Sequence, residues 1–327
     1  MMQLSILNLA PVRQGQSPKN AIDSLVNLAK FAENLGVARY WIAEHHNMPS
    51  LVSSATQLLI GHVLAHTTSL NVGSGGVMLP NHSPLIVAEQ YGTLATLYPN
   101  RVELGLGRAP GTDPMTARAL RRNEADVSHN FPHDVAELQH YFGNNTTSVK
   151  AVPATNTNVP IYILGSSTSS AYLAGELGLP YAFASHFAPR MMVEAVKIYR
   201  TQFKPSQVLD KPYVIIGTNA IVADTDKNAQ FLATSTYQFF LNVVRGQSNP
   251  LLPPVDNMDE IWHPHEKSMA MNMLNCSLIG SQTTVNHQLN TLKIAVNPDE
   301  LMVVSYIFDE DLQKQSYTML NDIVKNY

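Results

Sequence analysis

Short apolar, β-branched runs alternate with longer stretches of helical periodicity from one end of the chain to the other. That alternation is the pattern of βα units around a parallel sheet. The runs predict strands at Gln3–Leu9, Tyr40–Ala43, Leu70–Val72, Val102–Leu106, Ile161–Leu164, Tyr181–Ala184, Tyr213–Val222 and Leu301–Ser305. Between the first two, Ala21, Leu25, Leu28, Ala29, Ala32 and Leu35 recur at spacings of three and four, and Gly36 supplies a stop where a left-handed residue is cheap. Similar helical patterns cover Ser53–His66, Leu85–Leu97, Ser169–Leu177, Pro189–Phe203, Lys227–Val244, Thr284–Val296 and Leu312–Val324. Eight strands and about eight helices in 327 residues fit a closed (β/α)8 TIM barrel better than an open doubly wound sheet, which remains the alternative.

Two regions break the repeat where a barrel enzyme keeps its variable loops. Gly111–Phe131 is polar and rich in Arg and Asp, and Gly246–Met269 carries Pro250, Pro253, Pro254 and Pro264 and reads as an excursion covering a site. Gly143–Val159 reads as a connection into the fifth strand. With no internal repeat and no linker, residues 1–327 are expected to form one domain with a variable insertion at about 246–269.

Composition narrows the function classes. A net charge of -4, with no basic cluster longer than Arg121-Arg122, gives no footprint for nucleic acid or an anionic membrane. Cys276 is the only cysteine, so the chain offers no intrachain disulfide and no thiolate metal site, and a reducing cytoplasm fits. Met2–Val12 has no basic residue before Arg13, and no apolar run approaches 20 residues, so it reads as a buried strand rather than a signal or an anchor. The overlapping sequons in Asn144-Asn145-Thr146-Thr147 carry no weight unless the protein is secreted.

Gly105-Leu106-Gly107-Arg108-Ala109-Pro110-Gly111 imitates a dinucleotide fingerprint, but Pro110 stands at the third glycine and the preceding strand is the fourth, not the first. No P-loop, HExxH helix or GxSxG elbow occurs. Arg108 instead stands just past a strand end, either as a phosphate contact or in a salt bridge that holds the loop. Gly165-Ser166-Ser167-Thr168-Ser169-Ser170 joins an apolar strand to an apolar-periodic helix. Its amides and hydroxyls suit a dianionic phosphate, and five consecutive hydroxyls exceed what one N-cap needs. Glu44-His45-His46 follows the second strand and offers proton transfer near neutral pH; a zinc site would need distant partners such as His82, His186, His263 or His265, and no metal is expected. Gly73-Ser74-Gly75-Gly76 admits either a plain bulge or a backbone against which a flat ring could lie.

Together these segments resemble the bacterial luciferase-like flavin monooxygenases. The resemblance is carried by WIAEHH at Trp41–His46, VGSGGVMLPNHSPLIVAEQ at Val72–Gln90, LYPNRVELGLGRAPG at Leu97–Gly111, and ILGSS followed by AYLAGELGLPYAFASHF within Ile163–Phe187, with LIGSQTTV at Leu278–Val285 a weaker match. It implies a (β/α)8 barrel with FMN at the carboxyl ends of the strands. Gly75-Gly76 falls where the family often has a non-proline cis peptide beneath the flavin ring, and Arg108, Ser166 and Ser169, with Gly165 and Ser167 beside them, fall where it holds the FMN phosphate. His45 falls where the luciferase has a catalytic histidine, with Glu44 its neighbour. Gly107 stands where the luciferase has its reactive cysteine, so light emission does not follow.

By the same resemblance, a separate flavin reductase supplies reduced FMN, O2 adds to it, and the protein shields the activated flavin from water beside a small organic substrate. A homodimer through helices near Pro84–Leu97 is also implied; the apolar residues Leu85, Ala88, Leu94 and Leu97 support it. Related barrels use a deazaflavin coenzyme for dehydrogenation, which is the alternative within the enzymes. A flavin-binding protein without turnover is the alternative outside them.

Overall fold

The computed structural model describes residues 2–109, 111–121, 128–144 and 148–327. Pro110, Arg122 and the sequon residues Asn145, Thr146 and Thr147 therefore lie outside the described residues, as does part of the polar stretch from Gly111 to Phe131.

The strands are β1 (Gln3–Asn8), β2 (Arg39–Ile42), β3 (Asn71–Met78), β4 (Val102–Gly107), β5 (Ile161–Gly165), β6 (Tyr181–Phe183), β7 (Val214–Ala223), β8 (Leu278–Ser281) and β9 (Glu300–Val304). Between them run α1 (Pro18–Leu35), α2 (Thr56–His66), α3 (Pro84–Leu97), α4 (Pro114–Arg121), α5 (Phe131–Phe142), α6 (Thr168–Leu177), α7 (Met192–Gln202), α8 (Asp226–Val244), α9 (Pro264–Met273) and α10 (Gln282–Val296); α11 (Glu310–Val324) follows β9. Strands β1 to β6 pair in sequence and in parallel, β6 pairs with β7, β7 with β9, and β9 with β1. The sheet therefore closes into an eight-stranded parallel barrel, which rules out the open sheet. No described helix is long and apolar enough to cross a membrane.

The strands read as nearly continuous apolar runs because both of their faces are buried, as in other parallel sheets. The two faces still separate by alternation. Ile6, Tyr40, Ile42, Leu104, Leu106, Ile163, Tyr181, Val214, Ile216, Leu301 and Val303 pack outward under the helices. Leu7, Trp41, Tyr162, Ala182, Ile215, Met302 and Val304 fill the barrel. At the amino-terminal end of the lumen, Arg39 stands between Glu300 (3.2 Å) and Glu103 (3.6 Å). Trp41 Nε1 donates to Glu103 at 2.7 Å and the Tyr213 hydroxyl to Glu300 at 2.8 Å. Burial pushes the Glu300 carboxyl up, and the Arg39 guanidinium and the Tyr213 hydroxyl offset part of that cost.

All eight expected strands are present, and α1 begins and ends where its residues dictate. Ser17 and Asn20 form a reciprocal capping box, Pro18 occupies the first turn, and Gly36 adopts φ 75° to end the helix. Two expectations needed correction. The third strand does not stop at Val72; it runs through Gly73–Gly76 to Met78, with its register against β4 shifting between Ser74 and Val77. A Cβ on Gly76 would stand 2.7 Å from the Gly105 carbonyl oxygen, and one on Gly105 would stand 2.2 Å from that of Ser74, so glycine is what lets these strands approach. The ninth strand, β8, has no counterpart among the expected ones. Leu278–Ser281 is too short to stand out, and it pairs with the extension of β7 beyond the barrel, Ala220–Ala223.

The proline-rich insertion lies at the carboxyl face. Its Leu251 exchanges backbone hydrogen bonds of 2.8 Å with Val12 and Gln14 in the loop after β1, and the Ser248 hydroxyl lies 2.8 Å from that of Ser50 in the loop after β2. Gln238 Nε2 on α8 donates to the Pro253 carbonyl at 2.8 Å.

Candidate active site

Because every barrel strand is parallel, the carboxyl ends of the strands share one face, and the sequence-predicted residues meet there. Glu44, His45 and His46 follow β2, Met78 ends β3, Arg108 follows β4, and Ser166, Ser167 and Ser169 follow β5.

A cavity of about 260 Å³ opens between the last two groups. Arg108, Gly165, Ser166, Ser167 and Ser169 give it a polar side, while Met78, Phe131, Leu164, Leu173 and Phe187 close it with apolar surface. Arg108 is exposed and forms no ion pair with any described residue, so the loop-holding salt bridge has no partner among them. Of the consecutive hydroxyls, Ser170 serves the fold: it donates to the Ser167 carbonyl at 2.8 Å and meets the Tyr181 hydroxyl at 3.1 Å. Ser167 is the N-cap of α6 but makes no side-chain cap bond. The first amides of α6 and its neighbouring hydroxyls are thus left to face the cavity, a ready donor set for an anion. The cavity's cationic, hydroxyl-rich side and its apolar walls fit a phosphate with an organic tail.

Glu44 is fully buried. Its Oε1 receives His46 Nε2 at 2.9 Å and His82 Nε2 at 2.8 Å, and its Oε2 receives the Met78 amide at 3.4 Å. Burial pushes the Glu44 carboxyl up, but the hydrogen bonds and charge of the two histidines outweigh it and hold the group below its ordinary value. An ionised carboxylate only accepts, so both histidines carry hydrogen on Nε2. The three side chains bring ligand atoms within 4.8 Å of one another. The two imidazoles converge on one oxygen at hydrogen-bond distance, whereas ligands around a tetrahedral ion would stand roughly 3.3 Å apart.

His45 points elsewhere. Burial lowers its imidazole below 6.5, and Glu44 and a hydrogen bond with the Gly111 backbone only partly restore it, so the ring is neutral at pH 7. The peptide joining Gly75 to Gly76 is cis. A Cβ on Gly75 would stand 2.7 Å from Leu7 and 3.1 Å from Trp41, which places those two side chains directly against this backbone.

His46 stands beside Glu44 in the sequence, but His82 could not be read as its partner, since only folding brings the loop after β3 against that after β2. Phe131 and Phe187, which wall the cavity, fall at the end of the polar stretch Gly111–Phe131 and between the sixth strand and the helix after it, where no periodicity marks them.

The luciferase-like monooxygenase family model matches residues 2–295. The chain belongs to that family. Within it, the chain is 50% identical over 326 residues to the YvbT protein of Bacillus subtilis, covering 99% of this chain and 97% of that one. It is 48% identical over 321 residues to the luciferase-like monooxygenase of Escherichia coli K12, covering 98% and 96%. Among solved structures, apo-MsnO8 is similar with a TM-score of 0.88 at 31% identity, covering 99% of both chains. The barrel is also shared, at 17% identity and a TM-score of 0.71, with the oxygenating constituent of 3,6-diketocamphane monooxygenase from Pseudomonas putida, solved with FMN and covering 98% and 96%. An F420-dependent secondary alcohol dehydrogenase shares it at 14% identity and a TM-score of 0.72, covering 99% of both chains. These last two likenesses bear on the fold alone.

Proposed function

We propose that this protein is a monooxygenase that takes reduced FMN from a separate flavin reductase and uses it, with O2, on a small organic substrate. One observation carries the reading: the cavity beside the barrel mouth pairs Arg108, which has no ion-pair partner among the described residues, with the Ser166, Ser167 and Ser169 hydroxyls and the first amides of α6. In this reading Arg108, Gly165, Ser166, Ser167 and Ser169 hold the phosphate, and the backbone of Gly75 and Gly76 lies beneath the ring. His45, a neutral imidazole, moves the proton, and the Glu44 carboxylate with His46 and His82 fixes the loop that carries it. When bound, the flavin supplies the redox chemistry; the protein binds, orients and excludes water. A deazaflavin coenzyme also carries a phosphate, so the cofactor needs a direct test. Titration with FMN and with F420, each oxidised and reduced, followed by absorbance and fluorescence, is expected to show tighter binding of reduced FMN. Preference for F420 would overturn the assignment in favour of a dehydrogenase.

We also propose a homodimer through α2 and α3. The apolar face named from sequence needs correction: Ala88 and Leu94 are buried within the chain. The exposed apolar residues of these helices that could meet a second copy are Leu58, 75% exposed, Leu97, 64% exposed, and Ile86. Sedimentation at micromolar concentration is expected to show twice the 36.0 kDa chain mass; a monomer alone would refute the proposal. Leu58→Glu should shift the dimer toward monomer.

A further inference from the structure

The outer face of α2 carries two histidines that the flavin reading does not use. Leu59, Ile60, Val63 and Leu64 bury the inner face of this helix, while Leu58, His62, Ala65 and His66 stand exposed. A spacing of four residues stacks His62 and His66 on successive turns. Their ring centroids lie 4.5 Å apart, with the ring planes inclined by 67°. The helix starts just past the carboxyl end of β2, where the Thr56 hydroxyl donates to the Ala43 carbonyl at 3.1 Å, and it ends at His66 ahead of β3. The pair therefore lies toward the amino-terminal end of the barrel, away from the strand ends that carry His45 and Arg108.

Neither ring holds another element in place. The His62 ring nitrogens have no hydrogen-bond partner among the described residues, and His66 bonds only within its own helix, its Nδ1 lying 2.8 Å from the His62 carbonyl oxygen. A carbonyl only accepts, so His66 Nδ1 carries the hydrogen and Nε2 is the nitrogen a ligand would meet. Metal-binding histidines show this arrangement: the other ring N–H donates to a backbone carbonyl, which fixes the tautomer and the orientation of the ring. The separation fits as well. With metal–nitrogen bonds of about 2.0–2.1 Å meeting at roughly 90–109°, the centroids of two chelating imidazoles stand roughly 4.5–5.2 Å apart. The observed 4.5 Å falls at the short, right-angled end, which suits tetragonal Cu2+ or Ni2+ better than tetrahedral Zn2+.

We propose that His62 and His66 form a bidentate site for a divalent late transition-metal ion, Cu2+ above all, with water in the remaining positions. Both donors are imidazole nitrogens, so hard cations such as Mg2+ and Ca2+, which require oxygen ligands, do not compete. Leu58 stands one turn earlier on the same face. The ion therefore sits at the edge of the surface proposed to meet a second copy, although the site rests on neither that reading nor the flavin one.

The test is a titration of the whole, metal-free protein with Cu2+ in glycine buffer, followed by calorimetry and electron paramagnetic resonance. Wild type is compared with His62→Gln, His66→Gln and the double variant. Wild type should bind one more Cu2+ per chain than the double variant, with a spectrum showing two coordinated ring nitrogens. Each single variant should weaken that site by roughly a hundredfold, because a lone imidazole loses the effective concentration of its neighbour. Ni2+ should displace the ion, and Mg2+ in excess should not. Both side chains are exposed, so thermal unfolding without metal should give the same midpoint for all four proteins. The wild-type spectrum and the metal competition decide the matter without any variant. Equal stoichiometry and affinity in wild type and the double variant would overturn the site. A wild-type spectrum with a single coordinated nitrogen would overturn it, as would displacement by Mg2+.

Discussion

His45→Ala is expected to lower turnover by about 10²–10⁴-fold while FMN affinity stays within a few-fold, because proton transfer acts in the transition state and not in cofactor binding. The ring's environment sets the pH dependence. A base must be unprotonated to act, and burial lowers the His45 imidazole below 6.5. Activity should therefore rise through a pH below that ordinary value, reach its plateau by neutrality, and lose that acid limb in the variant. A histidine that only braces the end of β2 would behave differently: its loss would lower the melting temperature, and turnover per folded molecule would stay normal. Measuring turnover with reduced FMN, O2 and one fixed organic substrate, alongside thermal unfolding of the same preparation, separates the two. Normal turnover per folded molecule would remove His45 from the chemistry.

Arg108→Ala is expected to weaken FMN binding by on the order of tenfold to a hundredfold, since a charge-assisted phosphate contact contributes roughly 1.5–3 kcal/mol. Riboflavin, which lacks the phosphate, should bind the variant about as well as the wild type. The contrast has force because Arg108 supports no ion pair among the described residues, so its removal breaks no salt bridge among them. Arg108→Lys should recover only part of the affinity, because an ammonium keeps the charge but not the planar fork that meets two phosphate oxygens at once. Parallel losses for FMN and riboflavin in fluorescence titrations would take Arg108 out of the phosphate seat.

The barrel was legible in the sequence because its cause is local. Each strand buries both faces and so reads as an apolar run, each helix buries one stripe and so reads at a spacing of three and four, and the two alternate along the chain. Gly36 and the hydroxyl run at Ser166–Ser170 could be read for the same reason, since caps and helix N-termini depend on a few neighbouring residues. Tertiary structure decided the pairings between distant loops. Which hydroxyl serves the fold was settled by Tyr181, which engages Ser170 at the wall of the cavity that Ser166, Ser167 and Ser169 also line. The partners of Glu44 were settled when the loop after β3 brought His82 against it, 38 positions away. The extension of β3 through its glycines depended on β4, whose Gly105 allows an approach that a Cβ would block. Periodicity reports which face of an element is buried, but hydrogen bonds between strand ends depend on barrel closure, and no pattern within one segment records that.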